Sequence, residues 1–66
     1  MVSWQDWVGR IVYIKLLDGR EFTYSLILTY EEPFISITDK FGKPVIINTS
    51  KIEIIKEDRE LKGGNK

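Results

Sequence analysis

The chain has 66 residues, with ten lysines and arginines, ten aspartates and glutamates, and neither histidine nor cysteine. This length accommodates one small domain, and the missing side chains remove the commonest general base, the commonest zinc ligands and any disulfide. The net charge is zero at pH 7, so the chain as a whole has no attraction to phosphate backbones or anionic lipid.

The first predicted element is a single turn of helix over residues 3–8. Ser3 is a typical N-cap, and Asp6 brings a favourable negative charge to the first turn. Trp4 and Trp7 are three residues apart and therefore lie on one face of the turn. We interpret the two indoles as a plug over an apolar opening. A platform that stacks on a base or another ligand is the alternative.

The first predicted strand covers residues 10–17. Its apolar residues alternate with a period of two, which places Val12, Ile14 and Leu16 on one face. Asp18-Gly19 follows and predicts a tight hairpin. A type I′ turn at this dipeptide requires a positive φ at both residues.

The second predicted strand covers residues 21–30. Ten residues is long for one strand, so we expect a strong bend or a bulge within it. Simple alternation divides its side chains into one apolar face and one more polar face. The apolar face would carry Phe22, Tyr24, Leu26, Leu28 and Tyr30, and the opposite face Thr23, Ser25, Ile27 and Thr29.

Pro33 ends the second strand, because proline has no N–H to donate to a central ladder. The third strand, over residues 34–39, alternates cleanly and places Ile35 and Ile37 inward. The remaining predicted elements are a hairpin turn at 40–43, strands at 44–48 and 51–56, and a polar tail at 58–66 that we expect to be disordered.

Five short antiparallel strands after one helical turn predict an all-β fold, a small and strongly bent five-stranded barrel over residues 1–57. Strands four and five carry apolar residues on both faces, whereas a half-solvated strand needs only one such face. We therefore predict a homo-oligomer, with scattered surface apolar side chains as the alternative. The interface residues would be Val45, Ile46, Ile47, Ile52, Ile54 and Ile55.

The segment from Val8 to Glu57 resembles the Sm-like (LSm) family of small β-barrels. The stretch Val12–Phe22 looks like the family's first strand, its Asp-Gly turn and the start of strand two, and Asn48–Ile52 looks like its turn between strands four and five. Tyr24 stands where the family usually has a glycine. The segment is also similar to the C-terminal barrel of bacterial ribosome-maturation factors. The resemblance implies a ring of barrels, strand four pairing with strand five of the neighbour, that binds single-stranded RNA.

The candidate RNA-binding residues are Tyr30, Phe34, Asn48 and Lys51. Tyr30 or Phe34 would stack on a base, because exposed aromatic rings are the usual platform for unpaired bases. Asn48 would hydrogen-bond to the edge of the base, and Lys51 would meet a phosphate.

The alternative is a protein-interaction or scaffold barrel that has the Sm-like fold but no nucleotide pocket. The asparagine with which the family holds a uracil falls near Phe34 or Ile35, and neither side chain can replace its amide. The family's Arg-Gly pair falls at Asn48-Thr49, so the arginine cation is missing there. A partner protein would then bind to an exposed strand edge or to an apolar patch of Trp4, Trp7 and Phe41.

Chemistry and location can also be predicted from what the sequence lacks. It contains no phosphate-binding loop, metal cluster or nucleophile motif, so we expect neither an enzyme nor a cofactor. No apolar run approaches the roughly 20 residues that cross a bilayer, no signal-peptide pattern opens the chain, and cysteine is absent, so we expect a cytoplasmic protein without membrane contact. Ten isoleucines, many lysines and glutamates and few amides predict a heat-adapted protein, although an AT-rich genome favours similar residues.

Overall fold

A computed structural model of the chain describes residues 3–58. Five strands form one antiparallel sheet in the order β4-β3-β2-β1-β5. A first 3₁₀ turn precedes the sheet, and a second 3₁₀ turn joins its two edge strands. The elements are the first 3₁₀ turn Trp4–Trp7, β1 Ile11–Leu16, β2 Glu21–Glu31, β3 Phe34–Thr38, β4 Pro44–Asn48, the second 3₁₀ turn Thr49–Lys51 and β5 Ile52–Glu57. These bounds confirm the five predicted strands and the short helical turn that precedes them.

β2 pairs with a different strand along each half of its length. Residues 21–26 pair with β1 and residues 26–31 pair with β3, so Leu26 lies opposite both Ile11 and Thr38. One strand that belongs to two ladders must bend where it passes from the first to the second. The predicted bend in the long strand is thus confirmed.

A bulge in β2 accompanies this bend. Val12 pairs with Ser25 and Ile14 pairs with Phe22, so a two-residue step in β1 spans a three-residue step in β2. Tyr24 lies within that longer step and has a φ of +50°, the left-handed region that residues with a side chain seldom adopt. A second register shift follows between Ile27 and Thr29, against β3.

The two bulges make the predicted alternation of β2 wrong. Each extra residue moves the following side chains to the other face of the strand. Ser25 and Ile27 are therefore fully buried, although the pattern placed them on the more polar face. Tyr24 and Leu28 point outward, and Leu28 is 43% exposed.

The core consists of branched aliphatic side chains from four strands. Exposure is 0% at Val12, Ile14, Ile35 and Ile37, yet residues 3–58 form no element besides the five strands and two short 3₁₀ turns. The side chains on one face of a flat, uncovered sheet would be exposed to solvent. The sheet therefore curls and packs this face against itself. The predicted inward positions of β1 and β3 are confirmed. The core residues are Val12, Ile14, Leu16, Ile27, Ile35, Ile37 and Ile47.

β4 and β5 are the two edges of the curled sheet. Within residues 3–58 each pairs on one side only, β4 with β3 and β5 with β1, and no ladder joins them to each other. Both edges therefore present unpaired backbone groups.

The Asp18-Gly19 hairpin forms as predicted, but not through a type I′ turn. Only Gly19 has a positive φ, of +96°, and Asp18 does not. The Leu16 carbonyl accepts from the Gly19 N–H at 3.0 Å, and the Leu16 N–H donates to the Arg20 carbonyl at 2.8 Å. This pattern is a three-residue loop with glycine in the left-handed position. The Asp39–Lys43 turn repeats it, with Gly42 at φ +83°.

The first 3₁₀ turn docks on the sheet. The Gly9 N–H that follows it donates to the Ile27 carbonyl at 2.8 Å, and Trp7 packs against the core with the Arg10 guanidinium 5.6 Å from the centre of an indole ring. Trp4 is half-buried.

Neither 3₁₀ turn is long or apolar enough to cross a membrane, and residues 3–58 contain no other helical segment.

Asp58 belongs to the folded domain, although the sequence assigned it to the tail. Its N–H donates to the Ile11 carbonyl at 3.0 Å, and its carboxylate accepts from the Tyr24 N–H at 2.9 Å. The rest of the predicted tail, residues 59–66, lies outside the described residues.

Candidate nucleic-acid interface

The candidate site forms where the β2–β3 turn meets the second 3₁₀ turn. The Thr49 N–H donates to the Pro33 carbonyl at 2.8 Å, which ties the two turns together. In the adjacent ladder Phe34, the first residue of β3, lies opposite Asn48, the last residue of β4. Residues 14 positions apart in sequence are thereby neighbours on one surface.

Asn48 forms the start of the second 3₁₀ turn. Its Oδ1 accepts from the N–H and from the Oγ of Ser50, both at 2.9 Å. The carboxamide oxygen is thus committed to capping the turn. The Nδ2 group makes no hydrogen bond to any residue between 3 and 58, so two amide donors remain for a ligand.

The two candidate stacking rings differ in accessibility. Phe34 is 47% exposed, whereas Tyr30 is half-buried and packs against the core. Phe34 also lines a shallow cleft of about 240 Å³ together with Glu31 and Ile46. Phe34 is therefore the ring that offers a free face, and the carboxylate of Glu31 adds negative charge beside it.

Lys51 ends the second 3₁₀ turn with an exposed side chain. Its carbonyl accepts from the Leu17 N–H at 2.8 Å, so this turn also contacts the β1–β2 turn. A cleft of about 380 Å³ lies at the contact and is lined by Leu16, Leu17, Asp18, Arg20 and Lys51. A second, narrower cleft of about 140 Å³ has Arg20, Asn48 and Lys51 in its lining.

The predicted site includes Lys51 but not Arg20. Arg20 precedes β2, and the residues that it meets lie about 30 positions later. The pairing of β1 with β5 causes this proximity, because Leu16 lies opposite Ile52 and the turns on either side of that pair meet. The proximity could have been predicted from the expectation that the first and last strands of a small barrel pair with each other.

Asp18 orients Arg20. The Arg20 Nε donates to Asp18 Oδ2 and the Arg20 backbone N–H donates to Asp18 Oδ1, each at 3.0 Å. The hydrogen bond from the backbone N–H of Arg20 has the largest effect and holds the pKa of the Asp18 carboxyl below its ordinary value. Desolvation opposes this effect, and the Arg20 guanidinium lowers the pKa by a smaller amount. Asp18 therefore remains ionised at neutral pH, and its charge partly offsets that of Arg20.

The six candidate interface residues divide into exposed and inward positions. On β4, Ile46 is 71% exposed, and on β5, Ile54 is also exposed. Ile47 is buried in the core. The remaining three, Val45, Ile52 and Ile55, are half-buried and pack against the core. One large apolar side chain on each edge strand is thus left open to a neighbour.

The alternative apolar patch includes the exposed ring of Phe41. Phe41, at 76% exposure, lines a cleft with residues 21–23 at the start of β2, and neither tryptophan lines that cleft. Lys40 lies 5.4 Å from the centre of the Phe41 ring.

The outer face carries one further polar cluster, around Tyr13. Its hydroxyl donates to Glu21 at 3.1 Å, and the Lys56 Nζ lies 5.4 Å from the ring centre. Desolvation, followed by the hydrogen bond and the negative charge of Glu21, raises the pKa of the Tyr13 hydroxyl. Tyr13 therefore stays neutral at physiological pH. Residues 3–58 contain no cluster of acidic side chains able to hold a metal ion.

The chain matches no protein-family model, no curated protein and no solved structure. The resemblance to the Sm-like family therefore stays a prediction from the residues and motifs of this sequence.

Proposed function

We propose that this protein is an oligomeric Sm-like barrel that binds single-stranded RNA where the β2–β3 turn meets the second 3₁₀ turn. The observation that carries the proposal is the placement of Phe34 opposite Asn48, fixed by the hydrogen bond between Thr49 and Pro33. An exposed ring, two amide donors and the Lys51 cation then share one surface. Stacking, base-edge hydrogen bonds and phosphate contacts are the three interactions that hold unpaired bases.

Each side chain has a role that its environment permits. Phe34 stacks on a base with its free face, and the Nδ2 group of Asn48 donates to a carbonyl or ring nitrogen of that base. Lys51 contacts a phosphate. Tyr30, being half-buried, supports this surface and offers only its exposed part as a second stacking face.

Backbone geometry supports the Sm-like resemblance. Tyr24 has a φ of +50°, and it stands where the family usually has a glycine. Glycine is the default residue at a positive φ, because it has no Cβ to clash with the backbone. The same bend is thus compatible with both residues, at greater conformational cost for tyrosine.

The open edges support assembly. β4 and β5 each leave one side of the backbone unpaired within the described part of the chain, and each exposes an isoleucine, Ile46 and Ile54. If β4 of one copy pairs with β5 of the next, the edge amides and carbonyls are satisfied and both apolar side chains are covered. Repetition of this heterologous contact closes a ring.

The test is a fluorescence titration of labelled oligouridine and oligoadenosine at two salt concentrations, with matched phenylalanine variants. Phe34→Ala loses the stacking face, and its affinity is expected to fall about 5- to 150-fold, since stacking on one base contributes roughly 1–3 kcal/mol. Phe41→Ala removes a ring that is more exposed but lies elsewhere, and it should bind like the wild type. Equal behaviour of the two variants, or no binding at micromolar protein and low salt, contradicts the proposal.

A protein-interaction barrel is the second candidate. It is favoured by the carboxylate of Glu31 beside Phe34, which repels phosphate, and by the apolar Ile46 in the same cleft. Affinity capture from native lysate with and without nuclease separates the two functions. Protein partners that persist after nuclease treatment, with no oligonucleotide binding, favour this candidate over RNA.

A further inference from the structure

One cleft lies beside the RNA surface rather than in it, where the β1–β2 turn meets the second 3₁₀ turn. Its volume of about 380 Å³ falls at the lower end of the roughly 300–1,000 Å³ range of small-ligand pockets. Leu16, which is almost fully buried, and the exposed Leu17 provide apolar contacts, and the side chains of Arg20 and Lys51 provide two cations. The cleft therefore combines apolar contacts with positive charge.

Arg20 and Lys51 also line the narrower cleft that includes Asn48. The two cations thus line both the cleft that contains Asn48 and the cleft that contains Leu17. The hydrogen bond from the Leu17 N–H to the Lys51 carbonyl, at 2.8 Å, fixes the distance between the two turns that carry these side chains.

The guanidinium of Arg20 is oriented by one hydrogen bond and keeps further donors for a ligand. Asp18 accepts from its Nε, and the two Nη groups donate to nothing within the described part of the chain. A guanidinium fixed through Nε and open at Nη is suited to bind phosphate oxygens, which match its planar fork of donors.

We propose that Arg20 and Lys51 form a phosphate-binding subsite for single-stranded RNA, which extends the RNA surface from the second 3₁₀ turn onto the β1–β2 turn. The proposal rests on the RNA binding proposed above. Phe34 and Asn48 hold one base, and the strand continues past Asn48 so that the following phosphate lies between the two cations. Asp18 has a double role, because it orients the guanidinium and lowers the net positive charge of the cleft.

Three variants test the subsite: one should weaken RNA binding, one should strengthen it, and one is a control. Arg20→Gln removes one phosphate contact, so affinity for oligouridine should fall about threefold, and the slope of log Kd against log salt should fall by about 0.7. Asp18→Asn keeps the Oδ1 acceptor for the Arg20 N–H but removes the negative charge, so it should bind RNA more tightly than wild type. Arg10→Gln is the matched control, because Arg10 lies at the other end of β1, over Trp7.

The outcomes separate the subsite from the RNA proposal itself. If wild type binds and Phe34→Ala weakens binding, but Arg20→Gln equals Arg10→Gln in affinity and salt slope, the subsite is wrong and RNA binding stands. If Asp18→Asn weakens binding as much as Arg20→Gln does, the turn acts structurally and the subsite is again wrong. If wild type binds no RNA, both proposals fall. Binding of an oligoglutamate peptide that depends on Arg20, without RNA binding, would assign the cleft to a protein partner instead.

Discussion

The carboxylate of Asp58 accepts a hydrogen bond from the backbone N–H of Tyr24, 34 residues earlier, at 2.9 Å. Tyr24 is the residue with φ +50° in the bulge of β2, where the regular ladder with β1 is interrupted. A bulge leaves a backbone amide without a strand partner. The end of the described chain thus supplies an acceptor for the donor that the bulge releases.

The left-handed backbone of Tyr24 predicts an unusual order of stabilities. Tyr24→Gly removes a conformational cost of about 1–2 kcal/mol from the folded state. Glycine also raises the entropy of the unfolded chain, which destabilises the fold by a similar amount. The free energy of unfolding should therefore stay within about 1 kcal/mol of wild type. Tyr24→Val should be less stable than Tyr24→Gly, because a β-branched residue tolerates positive φ poorly. Urea denaturation measures both.

Leu28 is the control for this order. It lies on the same strand with similar exposure and without a positive φ. Leu28 also lies at a register shift, but because its φ is not positive, Leu28→Val should be more stable than Leu28→Gly. The same order at both positions would show that the backbone of Tyr24 is not strained.

Removal of the Asp58 carboxylate should destabilise the bulge. Asp58→Ala leaves the Tyr24 N–H without its protein acceptor, at a cost of about 0.5–1.5 kcal/mol in the free energy of unfolding. Asp58→Asn retains an oxygen acceptor and should cost less. Glu32→Ala, in the exposed β2–β3 turn, is a control for carboxylate loss and should have almost no effect. Equal stability of Asp58→Ala and Glu32→Ala would contradict the role of this hydrogen bond.

The corrected faces of β2 give a direct packing test. Ile27→Val removes one methylene group from the core and should cost about 0.5–1.5 kcal/mol, and Ile27→Ala should cost about 2–5 kcal/mol. Leu28→Ala, at a 43% exposed position, should cost well under the Ile27→Ala value. Thermal and urea denaturation measure the difference. A larger loss in the free energy of unfolding for Leu28→Ala than for Ile27→Ala would support simple alternation and contradict the bulged register.

This contrast shows how far the sequence determines the fold. Period-two alternation located the core of β1 and β3, because those strands are regular. It failed in β2 because each bulge inserts one residue and reverses the pattern, and nothing local distinguishes Tyr24 from its neighbours as the residue with positive φ. The Asp18-Gly19 dipeptide predicted the hairpin but not its loop length, since a glycine in the left-handed position suits either kind of turn.

The candidate site shows a similar division. Phe34, Asn48 and Lys51 were proposed from a resemblance, and the structure brings Phe34 opposite Asn48. Arg20 was not among the predicted site residues, because its proximity to Lys51 depends on the pairing of β1 with β5, which are far apart in the sequence. Tyr30 was treated as equivalent to Phe34, but only the curl of the sheet decides which ring is half-buried.

The exposed edge of β4 predicts how assembly can be disrupted. Ile46→Lys places a charge at a 71% exposed position, so the free energy of unfolding of an isolated copy should change by less than about 0.5 kcal/mol. The same charge opposes pairing of this edge with β5 of a neighbour. Light scattering at high micromolar protein should report an oligomer for wild type and a smaller species for Ile46→Lys.

Leu17→Lys is the control for this experiment. Leu17 is also exposed, but it lies in the β1–β2 turn rather than on an edge strand. Its oligomer mass should match that of wild type. A monomeric wild type, or an unchanged mass for Ile46→Lys, would refute assembly through β4.

The measurement that tests RNA binding at this surface most directly is a map of amide NMR shifts during titration with oligouridine. The side-chain amides are Gln5, Asn48 and Asn65, so the Nδ2 signals of Asn48 can be assigned and followed individually. We predict that these signals, together with the backbone amides of residues 34 and 48–51, shift in a saturable manner. Shifts concentrated around Phe41, or an unchanged spectrum at saturating oligouridine, would contradict the account.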